Sequence, residues 1–320
     1  MKAAIYRRYG PPEVVRIEEV PRPEPKLNEL LVRVRATTVS AGDSRLRSAR
    51  VPHGFGVLMR LGFGISGPRR PILGWEFAGE IAAVGPSVSH FVPGDRVFGV
   101  RMGSHAEYVV ASQDSVAPMP RRLKYEEAAA LVFGGGTSLF YLRDKAKIQP
   151  GERVLINGAS GAVGTAAVQL AKHFGAAVTG VCSGANGELV RSIGAARVID
   201  YARENFTRTG DTYDVILDAV GNCTFSRCEQ ALSPGGRLLL VVATLGQIIG
   251  ATLHASRAGR KVLTGVGATR REDLLFLGDL SDAGAFTPVI DRTYPLERIA
   301  DAHAYVDTGR KKGSVVITIS

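Results

Sequence analysis

Cysteine is scarce: the 320 residues carry three, Cys182, Cys223 and Cys228. So few, and an odd number, cannot staple a secreted scaffold, and they agree with a reducing compartment. Long apolar runs are missing as well. No segment approaches the roughly 18 uncharged apolar residues that suit a membrane span, and Met1-Lys2-Ala3-Ala4-Ile5-Tyr6-Arg7-Arg8 has no apolar core of secretory length. A cytoplasmic protein with no membrane partner is expected. Lysine and arginine outnumber acidic residues, 40 against 30, for a net charge of +10. They are spread from Arg7 to Lys312 and form no stripe, so nucleic acid is not the expected partner; a positive surface that attracts an anionic small molecule is. There is no internal repeat and no low-complexity tract. The histidines His53, His90, His105, His173, His254 and His303 show no metal-ligand spacing, and His105 alone lies near the motifs discussed below.

What remains is an ordinary globular composition, 45% hydrophobic and 22% charged, with a length that suits about two domains. The first part holds short apolar or alternating runs, such as Leu30 to Arg35, Glu80 to Gly85, Arg96 to Val100 and Ala106 to Val110. They are punctuated by turns like Pro93-Gly94-Asp95, which predicts an all-β unit. From about Lys124 the texture changes. Strands are predicted at Val154 to Asn157, Ala177 to Val181, Arg197 to Asp200, Asp214 to Asp218, Leu238 to Ala243 and Lys261 to Val266. Helical spacing intervenes at Val163 to Phe174, Glu188 to Ile193 and Thr224 to Leu232. Such alternation predicts an α/β domain with a doubly wound parallel sheet. After a helix from Leu296 to Val306, a last strand, Ser314 to Ile319, resembles the β-rich texture of the beginning. The expected architecture is therefore a discontinuous β domain, 1–123 and 288–320, with an α/β domain, 124–287, inserted into it.

The run Gly158-Ala159-Ser160-Gly161-Ala162-Val163-Gly164 lies between a predicted strand and a predicted helix, the order that a dinucleotide-binding turn requires. Its spacing is G-x-x-G-x-x-G. Glycines permit the tight turn, the approach of a pyrophosphate and close packing of helix on strand. Ser160 can donate a hydroxyl to phosphate beside the N–H groups of Gly161, Ala162 and Val163, where the helix N-terminus adds partial positive charge. An NAD enzyme usually places an acid about 20 residues beyond the glycines, on the adenosine ribose. Here Val181-Cys182-Ser183-Gly184-Ala185-Asn186-Gly187 has no carboxylate before Glu188. NADP(H) is therefore favoured over NAD(H), with Ser183, Asn186 and Tyr201 available to a 2′-phosphate. No Arg or Lys clamp stands in this stretch.

At these residues the sequence resembles the medium-chain dehydrogenase/reductase superfamily, in its zinc-free quinone oxidoreductase-like branch. Within it, the sequence is similar to the mitochondrial reticulon-interacting reductases. The resemblance runs through Tyr9 to Val14, Pro71 to Gly79, Pro93 to Val97, Ala106 to Tyr108, Glu127 to Ala130, Val154 to Lys172, Val198 to Tyr201 and Asp214 to Asp218. It implies a Rossmann domain inserted into a GroES-like β domain. It also implies cofactor contacts at Ser160, Ala162, Val163, Ser183 and Tyr201, nicotinamide-side positions at Thr137 and Gly221, and a reach from Lys311 or Lys312. Zinc-dependent members hold the metal with a Cys and a His where this chain has Ser40 and Trp75, so no metal is expected.

Without zinc an unactivated alcohol is a poor substrate, whereas a quinone or a conjugated carbonyl accepts hydride directly. The expected activity is therefore NADPH-dependent hydride transfer to a quinone or α,β-unsaturated carbonyl, with a small-molecule electron acceptor as partner. An NADP-binding interaction protein with little catalysis and a zinc-free alcohol dehydrogenase are the alternatives. The tyrosine that some quinone reductases carry near Asp43 to Val51 is missing, and no proton donor or other catalytic residue is named. Arg45 or Arg47 either orients an acceptor or is structural. The segment Pro52 to Arg70 is either an apolar pocket wall and lid or a plain surface helix. The strand Lys261 to Val266 offers an edge for a homodimer.

Overall fold

The computed structural model describes residues 1–248, 250 and 259–320, so His254 lies outside the described residues. The chain forms two compact units: Met1–Val51 with Gly56–Gly136 and Thr269–Ser320, and Pro52–Phe55 with Thr137–Ala268. Among the described residues no helix is long and apolar enough to cross a membrane.

The first unit is built on a seven-stranded sheet. Its order is Ile290–Pro295, Ser314–Thr318, Glu29–Val39, Glu76–Val84, Arg96–Val100 and Val116–Pro118, with Tyr108–Ser112 paired to Glu29–Val39. One pair, Ile290–Pro295 with Ser314–Thr318, is parallel, and the rest are antiparallel. The last strand thus returns to the β-rich beginning of the chain, as its texture predicts. Leu30, Val32, Val34, Phe77, Ile81, Val97, Val315 and Ile317 fill the core, each such burial contributing about 1.5–3 kcal/mol.

The compact units divide within helix Tyr125–Leu139 and just before helix Arg271–Asp282, away from the positions 123/124 and 287/288. Leu277 of helix Arg271–Asp282 lies where a Cβ on Gly135 would fall, within 2.8 Å, and a Cβ on Gly278 would contact Pro120 at 3.4 Å. The Asp282 carboxylate accepts the N–H groups of Arg121 and Arg122 at 3.2 and 3.1 Å. Packing on the antiparallel strands Arg96–Val100 and Val116–Pro118 draws helix Arg271–Asp282 into the first unit.

The second unit contains a six-stranded parallel sheet ordered Arg197–Asp200, Ala177–Cys182, Arg153–Asn157, Tyr213–Asp218, Leu232–Leu240, Lys261–Thr264. Counted along the chain this is 3-2-1-4-5-6, the Rossmann order. Three segments differ from expectation. The predicted helix Thr224 to Leu232 breaks into a short helix, Phe225–Cys228, and a 3-10 turn, Glu229–Ala231. The fifth strand starts at Leu232, because Leu232 already pairs with Tyr213 across a register shift. The sixth ends at Thr264, since Gly265 turns to φ +145 and Val266 is 99% exposed.

The first unit buries a cationic group and two imidazoles. Arg47 is 1% exposed and pairs with Asp307 at 2.6 Å, while the rings of His105 and His303 meet edge to face at 5.9 Å. Burial, then the charges of His105 and Arg47, hold the His303 imidazole well below its usual value. Unfolded, the ring titrates near 6.5, so its share of stability is present above that pH and is lost as pH falls toward the folded value. In urea melts between pH 7.5 and 5, the parent should lose about 1–2 kcal/mol more than His303→Gln. Equal losses would assign the acid sensitivity to other groups.

Candidate functional site

The glycine turn is held at both ends. Gly158 and Ala159 both donate N–H to the Val181 carbonyl at 3.0 Å, which fastens the turn to the second strand of the parallel sheet. Gly164 is required by the fold, because a Cβ there would fall 2.0 Å from the Gly158 carbonyl oxygen and 2.7 Å from Ala159 Cα. Gly161 is not. It caps helix Ala162–His173 with φ −80 and ψ 175, and a Cβ would find nothing closer than 3.6 Å. A side chain at Gly161 would stand beside the Ala162 and Val163 N–H groups, which have no intrahelical partner. The backbone therefore keeps a cradle at the helix N-terminus that internal packing does not explain but an anionic group would.

The other expected residues of this unit gather around the cradle. Ser160 is half-buried, and its oxygen accepts from Asn186 Nδ2 at 3.1 Å, leaving its own proton free to donate. Val163 is buried and its carbonyl accepts from Ser138 Oγ at 3.0 Å, which ties the helix carrying half-buried Thr137 to the turn. Ser183 closes the second strand, and Tyr201, 66% exposed, donates its N–H to Cys182 at 3.2 Å. Gly221 lies in a turn organised by the fully buried Asp218 carboxylate. That carboxylate accepts the N–H groups of Val220, Gly221 and Cys223 and Asn157 Nδ2, at 2.9 to 3.1 Å. Thr137, Ser160, Gly161, Ala162, Val163, Ser183, Tyr201 and Gly221 thus share one unit. Lys312 belongs to the other, where its side chain is exposed and its N–H meets Asp291 at 2.8 Å.

Sequence reasoning misses three charged residues around the loop that follows the second strand. The Asp200 carboxylate lies 2.6 Å from where a Cβ on Gly184 would stand, so an acid does reach the loop after the second strand. It comes from the third strand. Arg203 Nε stands 3.8 Å from that carboxylate, and Arg191 Nη1 3.4 Å from the Cβ position of Gly187. The signal for Asp200 and Arg203 is the run Asp200-Tyr201-Ala202-Arg203, which only the 3-2-1 strand order brings to the loop after the second strand, while Arg191 lies on the helix that follows that loop.

The first unit contains a second polar cluster. Ser40 caps helix Ala41–Ser48, and Asp43 Oδ2 accepts its N–H at 2.9 Å and its hydroxyl at 2.6 Å. Asp43 Oδ1 accepts the Gly74 N–H at 3.0 Å. His105 Nε2 meets the Thr38 carbonyl at 2.8 Å, and Thr38 Oγ1 donates to Glu76. Burial, followed by the charge of Asp43, pushes Glu76 up to about 8, against the Thr38 hydrogen bond and the charge of Lys311. Lys311 donates to Gly313 at 2.7 Å, and burial lowers it to about 8 although Asp291 and Glu76 favour its charge. Of the two lysines, Lys311 is the one whose ammonium turns inward. Arg45 is half-buried, and desolvation lowers its pKa. Helix Gly56–Phe63 buries Met59 but exposes Val57, Leu58 and Leu61.

Two family models match: an alcohol dehydrogenase GroES-like domain over residues 26–121 and a zinc-binding dehydrogenase domain over residues 193–317. Quinone oxidoreductase of Sus scrofa is 33% identical, over 95% of this chain and 93% of its own. The 2-methylene-furan-3-one reductase of Solanum lycopersicum is 32% identical, over 99% of this chain and 79% of its own. Among solved structures, the quinone oxidoreductase of Coxiella burnetii superposes with a TM-score of 0.89 at 28% identity, covering 100% of this chain and 99% of its own. That of Escherichia coli, complexed with NADPH, gives 0.84 at 25% identity, covering 99% and 100%. The chain belongs to the medium-chain dehydrogenase/reductase superfamily, in its zinc-free quinone oxidoreductase-like branch.

Zinc-dependent members of that superfamily place metal ligands where this chain has Ser40 and Trp75, and these residues do not fit a metal. The Ser40 hydroxyl is committed to Asp43, and an indole N–H is a donor only. Among the described residues no group of three or more His, Cys, Asp or Glu could hold a metal ion.

The two glycines separate fold from ligand. Gly164→Ala should cost at least about 1–3 kcal/mol, as an overpacked contact does. Gly161→Ala should stay within about 0.5 kcal/mol of the parent yet lose dinucleotide affinity. Paired thermal melts and nucleotide titrations check this; unchanged affinity in Gly161→Ala would deny the cradle its role.

Proposed function

We propose that this chain is an NADPH-dependent reductase that passes hydride to quinones or α,β-unsaturated carbonyls without a metal. The observation that carries the proposal is the cradle at Gly161, where an added Cβ would meet nothing nearer than 3.6 Å among the described residues, at the head of a Rossmann helix. The relatives named for quinone and furanone reduction support the acceptor class, and the NADPH complex of a structural neighbour supports the cofactor.

When bound, NADPH supplies the hydride. The N–H groups of Ala162 and Val163, with the Ser160 hydroxyl, would hold its pyrophosphate; the Gly161 N–H, expected to join them, already donates to the Gly158 carbonyl at 3.1 Å, so Gly161 contributes the open space instead. Ser183 and Tyr201 would receive the adenosine end. The Asp218 network would hold the Gly221 turn for the nicotinamide side, with Thr137 as a further contact, and Lys312 is assigned to the cofactor on the family resemblance. As a functional division we take 1–123 with 288–320 as the catalytic domain and 124–287 as the nucleotide domain. In its favour, the strands of the seven-stranded sheet end at Pro118 and resume at Ile290, and those of the all-parallel sheet run from Arg153 to Thr264. With Ser40 and Trp75 unable to activate an alcohol through a metal, an electron-poor acceptor suits the site better, since no alkoxide must form first. We further place the protein in the cytoplasm and assign the edge strand Lys261–Thr264 to a homodimer, which sedimentation would test.

A panel of quinones, enones and aldehydes, followed by NADPH absorbance, should show turnover with the first two. Tight NADPH binding with no turnover would favour an interaction protein. Oxidation of simple alcohols in preference would favour a metal-free alcohol dehydrogenase.

A further inference from the structure

We propose that Arg203 and Arg191, opposed by Asp200, decide between NADPH and NADH in this chain, so that the preference for NADPH is modest and depends on the arginines. The inference rests on the dinucleotide reading above and concerns the adenosine end of the same site.

The adenosine ribose of a Rossmann enzyme lies past the second strand, where an acid takes its hydroxyls or an arginine accommodates a 2′-phosphate. This chain presents both. Asp200 ends the third strand, and its carboxylate lies 2.6 Å from where a Cβ on Gly184 would stand, in close contact with the loop. Asp200 Oδ1 accepts the Ala202 N–H at 3.0 Å, which fixes the carboxylate in place. The acid is 23% exposed and therefore open to a ligand. A ribose 2′-hydroxyl could donate to it; a 2′-phosphate would be repelled.

Arg203 offsets that repulsion. Its side chain is 88% exposed and stands 3.8 Å from Asp200, a loose pairing that leaves the guanidinium able to turn to a phosphate. Arg191 lies on the other side of the loop, beside Gly187. Asn186, which donates its amide N–H to Ser160, supplies a neutral donor in the same loop. One carboxylate and two guanidinium groups thus flank a loop whose other polar groups are uncharged. The arrangement admits either cofactor and lets two cations against one anion tip the choice.

Titration calorimetry with NADPH and NADH, and with adenosine 2′,5′-bisphosphate against ADP, tests the assignment on the intact protein. Arg203→Gln should weaken NADPH and the bisphosphate roughly tenfold, the loss of one charge-assisted hydrogen bond, and leave NADH and ADP unchanged. Arg203→Lys should restore part of the difference. Asp200→Asn keeps the acceptor for Ala202 and should raise the NADPH to NADH affinity ratio about fivefold or more, roughly 1 kcal/mol. Added salt should weaken NADPH more than NADH. Melting curves confirm that each variant is folded. If the parent binds both dinucleotides and the ratio moves by less than about twofold in Arg203→Gln and Asp200→Asn, a margin smaller than one exposed charge pair, the inference is wrong and the reductase reading stands. If the parent binds neither dinucleotide, both fall.

Discussion

The contact on which the nucleotide unit depends is the approach of helix Ala162–His173 to the turn beneath it, where Gly164 lies against the Gly158 carbonyl. No side chain fits there. Because the helix is drawn so close, its first N–H groups open directly above the end of the strand. The double hydrogen bond to Val181 then sets the second strand beside them. From that one packing requirement follow the cradle at Gly161, the position of Ser160 and the nearness of Ser183.

Around this point the unit uses its buried polar groups as fasteners. Asp218 is fully buried and accepts four hydrogen bonds, so the turn bearing Gly221 is held rigidly without help from a ligand. Such preorganisation is what hydride transfer asks of a protein, since the chemistry belongs to the cofactor and the acceptor while the chain supplies orientation and a dry site. The other unit shows a different economy. Ser40 and Asp43 cap a helix, His105 bonds to a backbone carbonyl, and Glu76 and Lys311 are both pushed toward neutrality by burial. These polar groups are taken up by the structure itself.

Much of this was legible before any coordinates. Hydrophobic alternation marked the strands, the glycine spacing marked the turn, and the texture of Ser314 to Ile319 marked the return of the chain to its first sheet, because each signal is local. What escaped was non-local. Asp200 and Arg203 lie far along the chain from Ser183 and become its neighbours only through the strand order. Helix Arg271–Asp282 falls within the stretch 124–287 expected to be the α/β domain, yet it packs against Pro120 and Gly135. Glu76 belongs to a recognisable motif, but its raised pKa arises from burial and from Asp43, neither of which spacing reveals. The fragmentation of the segment from Thr224 to Leu232 reflects strand pairing overriding helical spacing.

The central claim is metal-free hydride delivery from NADPH held at the glycine turn. It is tested most directly by single turnover of the protein with NADPH deuterated at the transferable C4 position, an enone acceptor and excess chelator. The account predicts deuterium on the enone carbon that accepts hydride, a primary isotope effect on the rate and no effect of the chelator. Product without deuterium, or a reaction stopped by the chelator and restored by zinc, would contradict it.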